Sequence, residues 1–424
     1  MPRKQLQEGP PCMLRSWCKA AASALVALPI CAAAFEAVDV LPSASSGLYP
    51  AYPSDPVPPY TFWAQAGVMY DSNILRQPSG NNHEIVTRLG IGGRVDQRVI
   101  GRQGLHLEGR VDGYLYDKFN ELDNLAYAAL GEWRYEVGND LSGALGVSRR
   151  RFQASLAEIQ RAFYDPIDET SLNGTTRYAI GPHLAVRGAA HWIDYKRPQR
   201  PLSNTRTVIV GGGVDYVSPL GNTVGVEVQE ARGDAPVDQQ VDPLGLFVNN
   251  DFRQRDIGVL GTFGVTPSIR VAGRVGRTTR SYTVLPGRDF SGPTWAVAAQ
   301  WFPTAKTVFV VESAKNISSI IDVGASHMVV KGYSLGPGWA VTSKLNLQAR
   351  YIRQHQTFEG DPAAALGISP IREEIVSDIR LGAYWEYTRR IHWQFAFDHG
   401  RRDSNLVGRN YRYNAAIAQV RYVF

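Results

Sequence analysis

The sequence predicts an all-β chain: a single transmembrane, antiparallel, up-and-down barrel of about 18 strands (16–18). Three observations predict it. Apolar and polar residues alternate with period two in stretch after stretch, as on the two faces of a strand. Short and long polar breaks alternate between those stretches. Aromatic residues stand just before the short breaks, one after another along the chain.

The first 34 of the 424 residues carry the one sustained apolar run, Ala20–Ala34, AAASALVALPICAAA. It is too short to cross a bilayer as a helix. It follows Arg15 and Lys19 and ends in Ala32 and Ala34, so residues 1–34 read as a secretory signal cut after Ala34. All three cysteines, Cys12, Cys18 and Cys31, lie in this leader. The exported chain is therefore expected to hold neither disulfides nor reactive thiols. The mean hydropathy of −0.22 excludes a bundle of membrane helices.

Charge narrows the class further. The net charge is +6, and Arg3, Lys4, Arg15 and Lys19 against Glu8 give the leader +3, which leaves +3. The remaining basic residues are scattered arginines. No nucleic-acid partner is expected from that pattern.

Residues 35–59 read as a periplasmic linker, rich in Pro and Ser: VLPSASSGLYPAYPSDPVPPY runs from Val40 to Tyr60. From residue 60 to 424 the barrel is expected. Eight tight breaks (VIGRQG, EVGND, AIGPH, VSPLGN, GVTPS, FPTAK, VTSK, YTRR) alternate with nine long polar ones. The long ones are DSNILRQPSGNN, DKFNELDN, LAEIQRAFYDPIDE, KRPQRPLSN, RGDAPVDQQVDPLGLFVNN, VLPGRDFSG, KNISSIIDVG, EGDPAAALGISPIRE and RDSNLVGRN. Short turns on one side and long loops on the other are the asymmetry of an outer-membrane barrel, placing the protein in the outer membrane of a Gram-negative bacterium.

The chain stops in mid-strand on AIAQVRYVF, Ala416–Phe424. Phe424, Tyr422, Val420, Ala418 and Ala416 share one face, expected to meet lipid. Val423, Arg421, Gln419 and Ile417 share the other. An aromatic end of this kind is what the barrel-assembly machinery reads, which makes that machinery an expected partner. Tyr135, Tyr216, Phe263, Trp301, Trp339, Trp385, Tyr387 and Phe424 are expected to form an aromatic girdle at the membrane interface, and Phe302 stands among them.

The face opposite the lipid supplies the pore-lining candidates. They are Arg88, Arg94, Glu108, Arg110, Asp112, Tyr114, Tyr116, Arg187, Arg270, Arg274, Arg350, Glu374, Asp378, Arg380, Glu386, Asp398 and Arg421. Asp96, Asp215 and Glu227 share that face. Positive and negative members balance, and an 18-strand closure leaves an aqueous lumen. The charges are expected to be hydrated wall residues whose cross-strand pairs stiffen the wall, or else a charge-patterned track for a hydrated polymer, without the arginine excess of an anion-selective pore. Tyr114, Tyr116, Tyr195 and Tyr384 are candidates to stack on sugar rings.

Catalytic signals are absent: no H-E-x-x-H, G-x-S-x-G or phosphate-loop pattern occurs. Asp71-Ser72 lacks a placed histidine. His183 and His191 are too far apart to share a metal. Gly211-Gly212-Gly213 reads as a close approach of neighbouring backbone. No cofactor, metal or enzymatic activity is expected.

YDSNILR, Tyr70–Arg76, resembles the first-strand signature of the EpsL outer-membrane barrels found with exosortase-linked exopolysaccharide operons. YLYDKFNELDNLAYAALGEWRY, Tyr114–Tyr135, is similar to the Tyr/Asp-rich hairpin of that family, and the terminal VRYVF fits as well. The resemblance covers most of residues 60–424 and supplies no functional residues to carry over. It implies an exit channel for an exopolysaccharide, working beside periplasmic polysaccharide export proteins and gated by loops such as Arg232–Asn250 and Gln356–Glu373. The alternative is a diffusion porin for small solutes, in which one long loop, with Arg232–Asn250 long enough, folds inward as a constriction. A barrel enzyme that modifies the polymer is a third reading.

Overall fold

The computed structural model describes residues 59–235, 239–240, 247–284, 286–322, 325–361 and 370–424. The leader and most of the linker lie outside them, as do parts of Arg232–Asn250 and Gln356–Glu373. The strands in chain order are β1 (Tyr60–Asp71), β2 (Glu84–Arg98), β3 (Gly104–Tyr116), β4 (Asn124–Val137), β5 (Leu141–Gln153) and β6 (Pro166–Ile180). Next come β7 (Leu184–Lys196), β8 (Thr205–Val217), β9 (Thr223–Asp234), β10 (Gln239–Gln240), β11 (Phe247–Val248), β12 (Phe252–Thr266) and β13 (Ile269–Tyr282). The last are β14 (Phe290–Thr304), β15 (Thr307–Asp322), β16 (Ala325–Ala340), β17 (Leu345–Glu359), β18 (Arg372–Glu386), β19 (Ile391–Ser404) and β20 (Tyr411–Val423).

Eighteen of these form one closed antiparallel sheet. Each strand pairs with the next, β9 pairs directly with β12, and β10 and β11 form a separate two-residue ribbon within the loop between them. Closure comes from β1 against β20, in register from Trp63 opposite Val423 to Asp71 opposite Ala415. Barrel strands run from 12 to 16 residues, enough to span the membrane and extend beyond it. The eight tight breaks are the turns at one end, with left-handed glycines Gly101, Gly138, Gly181 and Gly221 in four of them.

One expected loop is different. KNISSIIDVG is largely strand: β15 continues to Asp322 and β16 resumes at Ala325. β-Branched Ile317, Ile320 and Ile321 favour extended backbone over the loop that their polar neighbours suggested.

The outer face is apolar and exposed. Val226 is 58% and Ile257 55% exposed, and Leu89, Ile91, Val210, Val259, Val275 and Leu381 follow the same pattern. Keeping each such side chain in water forgoes about 1.5–3 kcal/mol, and a patch around a whole barrel far exceeds what a soluble monomer exposes. A closed sheet satisfies its backbone hydrogen bonds without an edge, which is what hydrocarbon demands. The protein is an outer-membrane β-barrel.

Candidate functional site

Alternation places every pore-lining candidate on the inner face, where some charges are hydrated and others buried: the Arg94, Glu108 and Arg380 side chains are 40%, 40% and 39% exposed. Asp112, Asp215, Glu227, Glu374 and Asp378 are buried. They lie flat along the wall in cross-strand ion pairs, and inward-facing glycines make the room. On β7, β8, β9 and β13 a ladder runs through Arg187, Asp215, Glu227 and Arg274. Arg187 Nε lies 2.6 Å from Asp215 Oδ2, Arg187 Nη1 3.4 Å from Glu227 Oε2, and Arg274 pairs with the same Glu227. A Cβ on Gly213 would stand 2.8 Å from Arg187 Nη2, so Gly213 clears space for that guanidinium, while Gly211 makes room for Gln229. On β15–β17, Arg350 pairs with Glu312, and Ser334 bridges the two. On β18–β19, Arg380 lies 3.9 Å from both Asp378 and Asp398.

The closing seam carries its own network. Arg88 of β2 forms a two-point pair with Asp112 of β3, with Nε and Nη2 each at 2.9 Å. Gln65 of β1 donates to the same carboxylate at 2.6 Å and accepts from Arg421 Nη2 at 3.0 Å. Gln419 of β20 donates to Gln65 at 3.3 Å and accepts from Arg88 at 3.3 Å. Arg110 Nε approaches Asp112 at 4.0 Å. Towards the tight turns, Arg94 pairs with Asp96, His106 reaches Asp96 and Glu108, and Arg270 lies over Phe302 at 5.4 Å. Phe302 therefore projects inward, opposite to the girdle position expected of it, because its neighbour Trp301 takes the outward one. Glu386 of β18 faces His392, which bonds Tyr384 at 2.6 Å.

Among the described residues, the loop between β5 and β6 folds inward; residues 236–238 and 241–246 of Arg232–Asn250 lie outside them. The β5–β6 connection, Ala154–Asp165, reaches the wall of β19, β20 and β1. Its single helical turn, Leu156–Ile159, buries Leu156 with Met69, Val86 and Ile417 of the inner wall and with Ile74, Leu75 and Leu122 of neighbouring loops. Tyr114 and Tyr116 pack against this cluster, and Ala157 packs against Tyr411, Tyr413 and Ala415. Backbone carbonyls of the loop are then taken up by the far wall. Arg402 donates to Ala157 O at 3.2 Å, Arg409 to Glu158 O at 3.1 Å and Gln77 to Gln160 O at 2.7 Å. Gln160 Nε2 returns bonds to Arg76 O at 2.8 Å and Gly408 O at 3.1 Å. On the near side Arg197 and Arg200 hold Asp165 at 3.4 and 3.2 Å and also reach Glu158. Burial pushes the Asp165 carboxyl above its usual range, and the two arginines oppose that shift.

YDSNILR supplies the far anchorage. Arg76, in the left-handed region at φ 55°, forms a two-point pair with Asp71 at 2.9 and 2.8 Å. The Asp71 carboxylate also accepts the Asn73 N–H at 2.8 Å. Ser72 exchanges bonds with the Asn414 backbone, and Asn73 donates to Arg412 O at 3.0 Å, both across the seam. Next to it Glu374 pairs with Arg372 at 2.8 Å and Arg402 at 3.3 Å. Asp71 and Ser72 thus belong to a structural clasp. His392, at the other end of the barrel, is not brought to them. His183 lies in a turn, bonded to Val217 O, and His191 stands alone on β7. Among the described residues, no group of three or more His, Cys, Asp or Glu could hold a metal.

Tyr135, Tyr216, Phe263, Trp301, Trp339 and Trp385 project from the outer face beside the tight turns, with Tyr387 edge-to-face with Trp385 at 5.1 Å and Phe424 edge-to-face with Tyr422 at 5.2 Å. The residues that the sequence reading missed are the inward apolar ones, Met69, Val86 and Ile417, and the loop's Leu156. Their signal was an apolar break in an otherwise polar lumen face.

Geometry and fold thus define a porin-like outer-membrane barrel with an internal loop. Residues 225–424 match the model of a family described as "Putative beta-barrel porin 2". Among solved structures the chain is similar to OccK2 (OpdF) of Pseudomonas aeruginosa, at 12% identity and a TM-score of 0.49, over 86% of this chain and 98% of that one. It is similar to OccAB3 of Acinetobacter baumannii, at 10% identity and 0.47, over 86% and 99%. It is also similar to the outer membrane protein opdK of Pseudomonas aeruginosa, at 9% and 0.47, over 86% and 99%. No curated protein sequence matches.

Proposed function

We propose that this protein is a diffusion channel for small hydrophilic solutes, without covalent chemistry of its own. The observation that carries the reading is the inward fold of Ala154–Asp165, pinned to the near wall by Arg197 and Arg200 and to the far wall by Arg402, Arg409 and Gln77. A loop held from both sides narrows the passage to a fixed aperture. That suits solutes filtered by size and disfavours a polymer threading through. Paired wall charges fit the same reading, since they offer local dipoles to a passing solute without a strong well in which it would stick. The family match over residues 225–424 supports it further. Residues of the aromatic girdle hold the barrel at its lipid boundary in this scheme.

The test is conductance. Protein reconstituted in a planar bilayer is expected to show stable single-channel steps, and removing residues 157–162 is expected to enlarge them severalfold. Absence of steps from protein whose unheated gel mobility shows a closed barrel would overturn the reading. The exopolysaccharide exit, implied by the resemblance at Tyr70–Arg76 and Tyr114–Tyr135, predicts a different result: deleting the gene would build up polymer in the periplasm and deplete it from the medium.

A further inference from the structure

The outer wall carries a cluster of arginines beside a hollow. On β9, β12 and β13, beyond the apolar strip, Arg232, Arg253, Arg255 and Arg277 project outward around Glu230, with Asp234 on the same face of β9 two residues beyond Arg232. Arg253 donates to Glu230 at 2.9 Å, Arg232 at 3.1 Å, and Arg255 lies 3.9 Å away. Arg277 donates to Ser291 Oγ at 3.0 Å. Four guanidiniums against Glu230 and Asp234 leave +2. Arg253 stands directly opposite Arg232 in the ladder, a like-charge pair that destabilises a sheet unless an anion joins them. The arginines are open to the outside: Arg232, Arg253 and Arg255 side chains are 68%, 54% and 56% exposed.

Elsewhere on the described outer face like charges also meet, Lys315 opposite Lys331 and Arg401 opposite Arg412, while Arg151 pairs with Asp168 at 2.6 Å, Lys196 and Arg206 share Asp194, and Arg401 pairs with Asp403 at 2.7 Å. On β1, β2 and β3 the outer face ends in Tyr70, Ile85 and Leu115 instead. Beside the arginines lies a hollow of about 440 Å³, lined by Arg253, Arg255, Thr279, Ser281 and Ser291, with Asp289 at its edge turned to the Tyr282 N–H. Thr279 and Ser281 already donate to the Arg255 and Arg253 carbonyls, so the guanidiniums, with Ser291, are the donors the hollow offers to phosphate oxygens.

Height identifies the source of the phosphate. Arg255 stands eight residues along β12 from Phe263. At about 3.3 Å per residue and a tilt near 40°, that is a rise of roughly 20 Å, close to the height of the apolar band of such barrels. The patch lies at the loop end of the barrel, where the headgroups of the outer leaflet meet the wall. We propose that this face of β9, β12 and β13 binds the phosphorylated headgroup of a glycolipid of the outer leaflet. It rests on the membrane position of the barrel and is independent of what passes through the lumen.

Detergent-solubilised full-length protein, with barrel closure checked by gel mobility, would be titrated with bisphosphorylated lipid A, with fully dephosphorylated lipid A and with inorganic phosphate. Lipid A is expected to raise the unfolding temperature of the wild-type protein, with binding weakened at least tenfold in the triple variant Arg253→Gln/Arg255→Gln/Arg277→Gln and unchanged in Arg401→Gln. The dephosphorylated lipid should bind as weakly to wild-type protein as lipid A does to the triple variant. Equal binding of lipid A by the triple variant would overturn the site. An equal effect of inorganic phosphate at the same concentration would overturn its assignment to a lipid.

Discussion

The guanidinium carbon of Arg76 lies 3.6 Å above the ring of Tyr413. One residue follows the first strand and the other belongs to the last, so their contact ties the first extracellular loop to the closing seam. Arg76 also neutralises Asp71, which is buried. Replacing Arg76 with Gln is expected to leave that carboxylate without its cation and to destabilise the closed barrel by about 3–5 kcal/mol. Urea unfolding in detergent, followed by tryptophan fluorescence, measures it. An unchanged midpoint would remove the clasp from the account of the seam.

Burial separates two ion pairs of similar appearance. Asp112 and Arg88 are both buried in the seam network, whereas Arg94 and Asp96 are 40% and 29% exposed. Asp112→Ala is expected to cost about 3–5 kcal/mol and Arg94→Ala about 0–1 kcal/mol. The same unfolding measurement compares them, and equal losses would mean that Arg88 finds water when its partner is removed.

The inward loop rests on apolar contact as well as on hydrogen bonds. Leu156→Ser is expected to loosen it from Met69, Val86 and Ile417 while the strands stay paired. Single-channel current should become larger and noisier, with heat-dependent gel mobility unchanged. A current trace like that of the wild-type protein would place the aperture elsewhere.

Glycine substitutions probe how tightly the wall charges are seated. A Cβ at Gly213 would lie 2.5 Å from Val226 O and crowd Arg187, whereas at Gly109 nothing lies within 4 Å. Gly213→Ala is expected to destabilise by about 1–3 kcal/mol, and Gly109→Ala to stabilise by about 0.4–1 kcal/mol through the unfolded chain. Refolding yield into detergent micelles and unfolding midpoints report both.

Local features carried much of the fold. All eight tight turns were legible from Gly, Pro and Asn/Asp punctuation, and strict alternation in stretches such as Val224–Val228 gave each strand its faces. KNISSIIDVG was not legible, because polar residues on a strand that rises above the membrane look like loop. The inward loop was not legible either. Length shows only that Arg232–Asn250 could reach the lumen. Whether a loop turns inward depends on apolar residues such as Leu156 meeting apolar patches on strands far along the chain, and Met69 and Ile417 come together only when the barrel closes. For the same reason alternation, which gives a side chain's direction but not its neighbours, suggests cross-strand pairs without showing that Arg187 is buried with Asp215 and Glu227.

The anchorage of the inward loop has a consequence for the order of construction. Its far contacts are divided between the first loop, through Arg76 and Gln77, and the last hairpin, through Arg402 of β19 and Gly408 of the β19–β20 turn. Those two groups are neighbours only across the β1–β20 seam. An inserted sheet whose ends have not yet met offers half a dock, so the gauge of the passage is set by the final act of assembly. Until then the nascent wall has a bore but no calibre.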